Sequence, residues 1–325
     1  MFSLFKSIFS TDLVGTGQYP EQLLQEATER AVEGVDSRLR GLSRYRKRLR
    51  PSIVKAVDHV IALIDQIPPA IDASRERYSH DPYLAAAFSS ADALQRYFSR
   101  EREIHEYLDN LTGPRPERIT GLLLMERNEK QVFGVDIQGE ILRHDVAQTT
   151  VSFAGHRLLD PTGSEEETRK LLRRRAFDHL IALALQNVIN SRKERLELEQ
   201  QYTLLRRKLS TLAAEGWGLE EGDAAASSDH TDAQLKLDDI EKQLEALPAK
   251  TEVLNFNLDV LDEVLTNSQD NLYHDSIAVI VDRMNIKRNS VSKTANELIW
   301  NELHSANGLI RTAIMVSYPT SQLVR

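Results

Sequence analysis

Apolar positions along this chain change their period along its length, and each change predicts a different kind of element. From Pro20 to Leu111 they recur at helical spacing. Gly34 and Gly41 flank a turn, Pro68-Pro69 stops the run that carries Val57, Val60, Ile61 and Ile64, and Asp81-Pro82 starts another helix. Pro51 stands where a first helical position is expected, because its missing N–H costs nothing there. An N-terminal helical bundle over 1–112 is predicted. Between Ile119 and Leu159 the period falls to two. Leu122 to Met125 is a short apolar run, Phe133, Val135 and Ile137 alternate with polar or small residues, Gly139 supplies a turn, Ile141 continues beyond it, and Val151 and Phe153 alternate again. This predicts a small antiparallel β meander of three or four strands over 113–163, an island that must lean on the flanking helices.

Ser164, followed by Glu165, Glu166 and Glu167, is the signature of a helix start, a capping box with acids at the positive end of the helix dipole. Phe177, Ile181, Ala184, Val188, Ser191, Arg195, Leu198, Tyr202, Leu205, Leu209 and Leu212 then follow at alternating spacings of four and three, the seam of a coiled coil. Residues 213–232 carry no pattern and are expected to form a mobile tip. A second seam runs through Leu237, Ile240, Leu244 and Leu247 and resumes past Pro248 in Leu254, Leu258, Leu261 and Leu265. The expectation is a long antiparallel coiled-coil hairpin over 164–270, its return arm kinked at Pro248. Such a seam asks for a partner helix. Leu198, Tyr202, Leu205 and Leu209 are the expected contacts, for a protein partner or for a second copy in a homo-oligomer.

Residues 271–325 support two readings. Ser276 to Lys293 resembles the helix-turn-helix of bacterial repressors, with Val281 in the small buried position, Asn285 in the left-handed turn and Val291 facing inward. Arg288, Asn289, Ser290, Ser292 and Lys293 would then face the major groove of DNA, and Asn307-Gly308 with Arg311 would act as a wing against phosphate. In the other reading the same residues are strands. Ile277, Val279 and Val281 alternate, and Asn307-Gly308 is a hairpin turn leading into Leu309 to Val316. The density of β-branched residues favours strands at Ile277 to Val281, leaving a C-terminal β-hairpin or winged-helix-like region. The fold class read from these patterns is α+β, mainly α.

Composition narrows the functional classes more than it selects one. The 325 residues, 41% hydrophobic and 28% charged, are those of an ordinary soluble chain, and a formal net charge of −8 argues against wholesale attraction to nucleic acid or anionic lipid. Without cysteine there are no disulfides and no thiolate metal sites, which fits a reducing, cytoplasmic setting. Phe2, Phe5 and Phe9 share a helical face that offers peripheral membrane contact over residues 2–9, though docking on the protein's own core is the preferred reading. Two basic clusters, Arg38 to Arg50 and Arg169 to Arg175, either grip phosphate or form solvated, ion-paired faces.

Candidate chemistry is sparse. Asp58-His59 and Asp178-His179, the pair Glu101 and His105, and the grouping His144, Asp145, His156 and Asp160 with Arg143 and Arg157 are the sets that could converge. No phosphate-binding GxxxxGK loop, HExxH or GxSxG motif occurs. No catalytic, metal or cofactor residues are assigned. The leading expectation is a non-enzymatic interaction or scaffold protein that uses the hairpin to bind a partner or itself. DNA binding through 276–298 with coiled-coil dimerisation is the first alternative, and an enzyme with a pocket in the β island is the second.

Overall fold

The computed structural model describes residues 19–138, 141–215, 224–247, 252–292 and 295–324. In chain order the elements are α1 (Glu21–Val35), α2 (Tyr45–Asp65), β1 (Ile71–Asp72), α3 (Pro82–Ala87), α4 (Ala91–Arg100), α5 (Arg102–Asp109), β2 (Arg118–Gln138) and β3 (Ile141–Thr162). These are followed by α6 (Glu165–Glu215), α7 (Ala224–Ala246), α8 (Val253–Thr266), α9 (Ser268–Asn271), β4 (Leu272–Asp282), β5 (Ala295–Ser305) and β6 (Ile310–Pro319). The chain divides into two compact units. Among the described residues, a sheet unit takes those within 19–23, 54–179 and 267–324, and a helical unit takes those within 24–53 and 180–266. Among the described residues no helix is long and apolar enough to cross a membrane.

The sheet unit is organised by one six-stranded sheet of order β3-β2-β6-β5-β4. β2 pairs antiparallel with β3 along nearly its whole length and with β6 from Arg118↔Pro319 to Met125↔Thr312. Where β5 leaves β6 beyond Ala313, β1 joins β6 in parallel at Val316 and Ser317. Bulges near Thr120, Leu124 and Gly134 bend the β2–β3 ribbon, and Gly155 supplies the positive φ of +61° that the second of them needs. Curling brings the outer edges together. The Val151 amide donates to the Asn285 carbonyl at 2.8 Å, and the Lys287 amide donates to Thr149 at 2.7 Å. On its other side the same segment pairs with β4, through Arg288 N–H to Ile280 at 2.8 Å and Asp282 N–H to Ile286 at 3.0 Å. Residues 285–287 therefore seal β4 to β3, and neither edge is left bare at that level.

Alternation along the strands sends side chains to two covered faces. Leu123, Met125, Leu158, Val279, Leu298, Trp300, Ile314 and Tyr318 form one core with Leu84, Leu94, Phe98 and Ile104 of α3–α5. Phe98 stacks on Tyr318 at 4.4 Å, and Phe153 lies 4.4 Å from Trp300. On the opposite face, Leu122, Leu159, Ala313 and Met315 pack with Ile64 in the last turn of α2, with Ile67 just beyond it and with Leu172 of α6.

In the helical unit, Asp36 joins three segments. Its carboxylate caps the 3-10 turn Ser37–Gly41, takes a forked bond from Arg38 (2.9 and 2.7 Å) and accepts from Asn257 of α8 at 2.9 Å, with Arg192 of α6 at 3.5 Å. Arg38 and the other contacts, set against partial burial, hold that carboxyl down to about 2. Gly34 lets α1 approach α6 so closely that an added Cβ would stand 2.4 Å from Ile181 Cγ2.

Several expectations are corrected. Among the described residues no N-terminal bundle forms, because α3–α5 bury their apolar faces on the sheet. The β island and the C-terminal strands are not separate elements, because β2 and β6 are neighbours in one sheet. The island holds two long strands of 21 and 22 residues in place of a meander of three or four, since the pairing runs in unbroken register through the polar stretch Glu126 to Gln131, against Ala154 to Thr149. The long coiled-coil hairpin is not formed as a block of its own. The first part of α6 belongs to the sheet unit, and from Leu180 onward its seam is shared with α1 and other helices of the helical unit. The helix-turn-helix and winged-helix readings also fail, because Leu272–Asp282 and Ala295–Ser305 are paired strands. Asn285 does take the left-handed conformation expected of it, with φ +58°, but in a loop between strands. Pro51 lies inside α2, which begins at Tyr45. The Ser164 cap, the Asp81 cap and the Asn307-Gly308 turn stand as expected. Of the expected mobile tip, 213–215 and 224–232 are instead helical, at the end of α6 and the start of α7, while 216–223, Phe2 to Phe9, Gly139 and Pro248 lie outside the described residues.

Candidate functional site

Among the described residues, two surfaces stand out, one by its exposed aliphatic side chains and one by its concavity. The first is the outer face of α6 in the helical unit. Along α6 the seam positions Val188 and Leu198 are buried, while Ser191, Arg195, Tyr202, Leu205 and Leu209 are half-buried. The charged layer is satisfied by neighbours, for Arg195 bonds Glu199 at 3.0 Å and the Leu247 carbonyl at 3.3 Å. Tyr202 donates to Glu241 of α7 at 2.7 Å. The expected partner-binding positions Leu198, Tyr202, Leu205 and Leu209 are thus directed at least partly into the unit. On the far side of the same helix Ile189, Leu196 and Leu204 are 46, 56 and 64% exposed. At about 100° per residue these three fall within an arc of roughly 80°.

The second region is a cleft of about 950 Å³ in the sheet unit, walled by α5, the end of β3 and the first turns of α6. Its charged lining is Glu101, Arg102, Glu103, Glu106, Arg157, Asp160, Glu167 and Arg175. Asp160 has φ +47°, a conformation that costs a non-glycine residue about 1 kcal/mol or more. Two contacts hold it there. Arg175 forks onto its carboxylate at 2.7 and 2.8 Å, and its amide donates to Glu103 Oε2 at 3.3 Å. Glu103 is three-quarters buried, its side chain 25% exposed, and the Arg157 guanidinium approaches its other oxygen only to 3.9 Å. Burial outweighs the nearby Arg175 and Arg157, so the Glu103 carboxyl is pushed above its ordinary range.

The remaining candidates disperse. Of the β-island grouping, Arg157 and Asp160 meet in the cleft. His156 turns away to the Ala87 carbonyl at 2.9 Å and packs on Phe88, and the side chains of Arg143 and His144 lie outside the described residues. Glu101 lines the cleft, but His105 bonds the Ser99 carbonyl at 2.8 Å. His59 and His179 bond Leu272 and Ser305, so the two Asp-His pairs do not converge. Among the described residues no three His, Asp or Glu side chains gather as a metal site. Arg288 is engaged with Asp282 at 2.8 Å, Asn289 and Ser290 are exposed, Ser292 bridges to Ala295, and Arg311 pairs with Glu126 at 2.7 Å from another strand. Lys293 lies outside the described residues. Both basic clusters are largely ion-paired. Arg40 and Arg46 meet Glu29, Arg48 meets Asp259, and Arg173 meets Asp65. Arg169 bonds Glu165 and the carbonyls of Ile64 and Ile67.

Sequence reasoning missed Glu103 and Tyr107. Their four-residue spacing puts both on one face of a short amphipathic helix, a signal too common to single them out. No protein-family model, no curated protein and no solved structure matches this chain.

Proposed function

We propose that this protein works by binding a polypeptide, as an interaction or scaffold protein, and that its partner is a second copy of itself docked antiparallel along the outer face of α6. The observation that carries the reading is the spacing of the three exposed aliphatic side chains. Ile189 and Leu204 stand seven and eight residues either side of Leu196. A two-fold axis near Leu196 therefore sets Ile189 of one copy opposite Leu204 of the other and brings the two Leu196 side chains together, the self-complementarity that a symmetric dimer requires. Burying an aliphatic side chain fully is worth roughly 1.5–3 kcal/mol, and these begin half-exposed, so six of them contribute on the order of 6 kcal/mol. That lies within the cost of association, roughly 4–15 kcal/mol, so the dimer is weak and concentration-dependent.

Sedimentation velocity across two decades of protein concentration tests this. A monomer–dimer equilibrium should appear and be abolished by Leu196→Lys with no loss of helicity, because that side chain is on the surface. A monomer at every concentration, or a dimer indifferent to Leu196→Lys and Ile189→Lys, would refute it.

A further inference from the structure

We infer that the cleft between α5, the end of β3 and the start of α6 is a binding site for a free dibasic amino acid, a small molecule with two cationic groups and one carboxylate. The argument is one of charge left over. Of the eight charged side chains that line the cleft, Arg175 is committed to Asp160 and Arg102 to Glu106. The other four are Glu101, Glu103, Glu167 and Arg157, three carboxylates and one guanidinium. These have no full-strength ion pair among the described residues. The nearest is Glu103 with Arg157 at 3.9 Å, the outer limit of such a contact. Arg157 is 67% exposed, whereas Glu103 is mostly buried and accepts from the Asp160 amide.

This inventory selects among ligands. A carboxylate on the Arg157 fork and an α-ammonium on Glu103 would close the open pair from both sides, each as a charge-assisted hydrogen bond. A second cation at the far end of the ligand meets Glu101 or Glu167, and Tyr107, Leu111 and Leu171 give its methylene stem an apolar wall. A polyamine would leave Arg157 facing a cation. A neutral amino acid would leave two wall carboxylates without a counter-charge. Gly163 keeps the wall behind Tyr107 open, for a Cβ there would stand 3.3 Å from the Tyr107 hydroxyl and 3.1 Å from Pro116. The buried Glu103 carboxyl, raised in pKa by desolvation, is a group whose ionised form a bound cation would stabilise.

Isothermal titration calorimetry of the full chain with L-lysine, L-arginine, cadaverine, L-norleucine and Nα-acetyl-lysine tests the inference. Lysine or arginine should bind at least tenfold more tightly than the three probes that each lack one charge. Arg157→Ala should reduce lysine affinity about tenfold, to the level of cadaverine, while leaving cadaverine itself unchanged or tighter. Glu103→Gln should weaken lysine and cadaverine alike. If Glu103→Gln fails to fold, Arg157→Ala decides, because that side chain is exposed. No heat from either dibasic amino acid at millimolar concentration would overturn the inference, and so would lysine binding that ignores Arg157→Ala. Cadaverine binding as well as lysine would also overturn it, marking a generic cation site. None of these outcomes depends on the oligomeric state.

Discussion

Replacing Asp36 by Asn should weaken the helical unit in a way that depends on pH. The carboxylate is 9% exposed and ties the 3-10 turn Ser37–Gly41 to α8 through Asn257 and to α6 through Arg192. Its pKa falls from an ordinary 3.8 to about 2 in the folded protein, led by the Arg38 hydrogen bonds. At about 1.4 kcal/mol per tenfold change in acidity, that difference corresponds to roughly 2.5 kcal/mol at neutral pH. Arg38 is 65% exposed and water screens its share, which brings the expected contribution to about 1–1.5 kcal/mol. The sign follows from the lowered value. The unfolded chain takes up the proton first as pH falls through 3.8, so this stabilisation is complete above that pH and declines toward 2, with about half of it gone by pH 3. Urea unfolding of wild type and Asp36→Asn at several pH values between 7 and 3 isolates this group, because titration of other carboxylates cancels in the difference. The gap should be about 1–1.5 kcal/mol at pH 7 and roughly half that at pH 3. A gap that stays constant with pH would show that Asp36 acts through shape and hydrogen bonding alone, and the electrostatic account would be wrong.

Gly34→Ala, which in an open helix stabilises by roughly 0.5–1 kcal/mol, should here destabilise by about 1–2 kcal/mol because its Cβ meets Ile181 Cγ2 at 2.4 Å; a higher melting temperature would refute the close α1–α6 contact. Burial lowers the pKa of His59, His156 and His179 from 6.5, so the unfolded chain protonates first. Stability should hold above about pH 6.5 and fall below it, and the fall between pH 7 and 5 should shrink in His156→Gln; an unchanged pH slope would count against the assignment. Arg127→Met should cost about 3 kcal/mol or more by stranding Glu302, which is 5% exposed and bonded to Arg127 at 2.9 Å, and adding Glu302→Gln should recover much of that in chemical denaturation; a double mutant as unstable as the single would refute the buried pair.

What could be read from the sequence was local. The Ser164 cap, the Asp81 cap and the Asn307-Gly308 turn are each decided by residues a few positions apart, and each is found where its chemistry places it. The seam of α6 was legible for the same reason, since Phe177, Ile181, Ala184 and Val188 are all buried. Its partner was not. Apolar periodicity reports that a face is covered and is silent about what covers it. The hairpin reading supplied a local partner, whereas Ile181 meets Gly34, a residue far away in sequence and lacking any side chain to signal its role. The same gap hid the sheet. Leu122 to Met125 and Thr312 to Met315 each read as strands, but nothing in either segment names the other as its neighbour across nearly two hundred residues.

The cleft was half-legible for a related reason. Arg157 and Asp160 stood out within the dense His/Asp grouping of the β island, but Glu103 and Arg175 belong to charged helical surfaces where most such residues only face water. Backbone geometry separates them from the rest. Asp160 adopts a left-handed conformation that turns its amide to Glu103 and its carboxylate to Arg175, and no composition rule predicts that for an Asp preceding Pro161. With the Arg175 fork taken by Asp160, the remaining cleft side chains are three acids and Arg157. A cleft whose own ion pairs were complete would give a ligand little to recover for the water it displaces. In this chain the mostly buried carboxylate of that incomplete set is Glu103, which accepts from the Asp160 amide and is approached by Arg157 only to 3.9 Å.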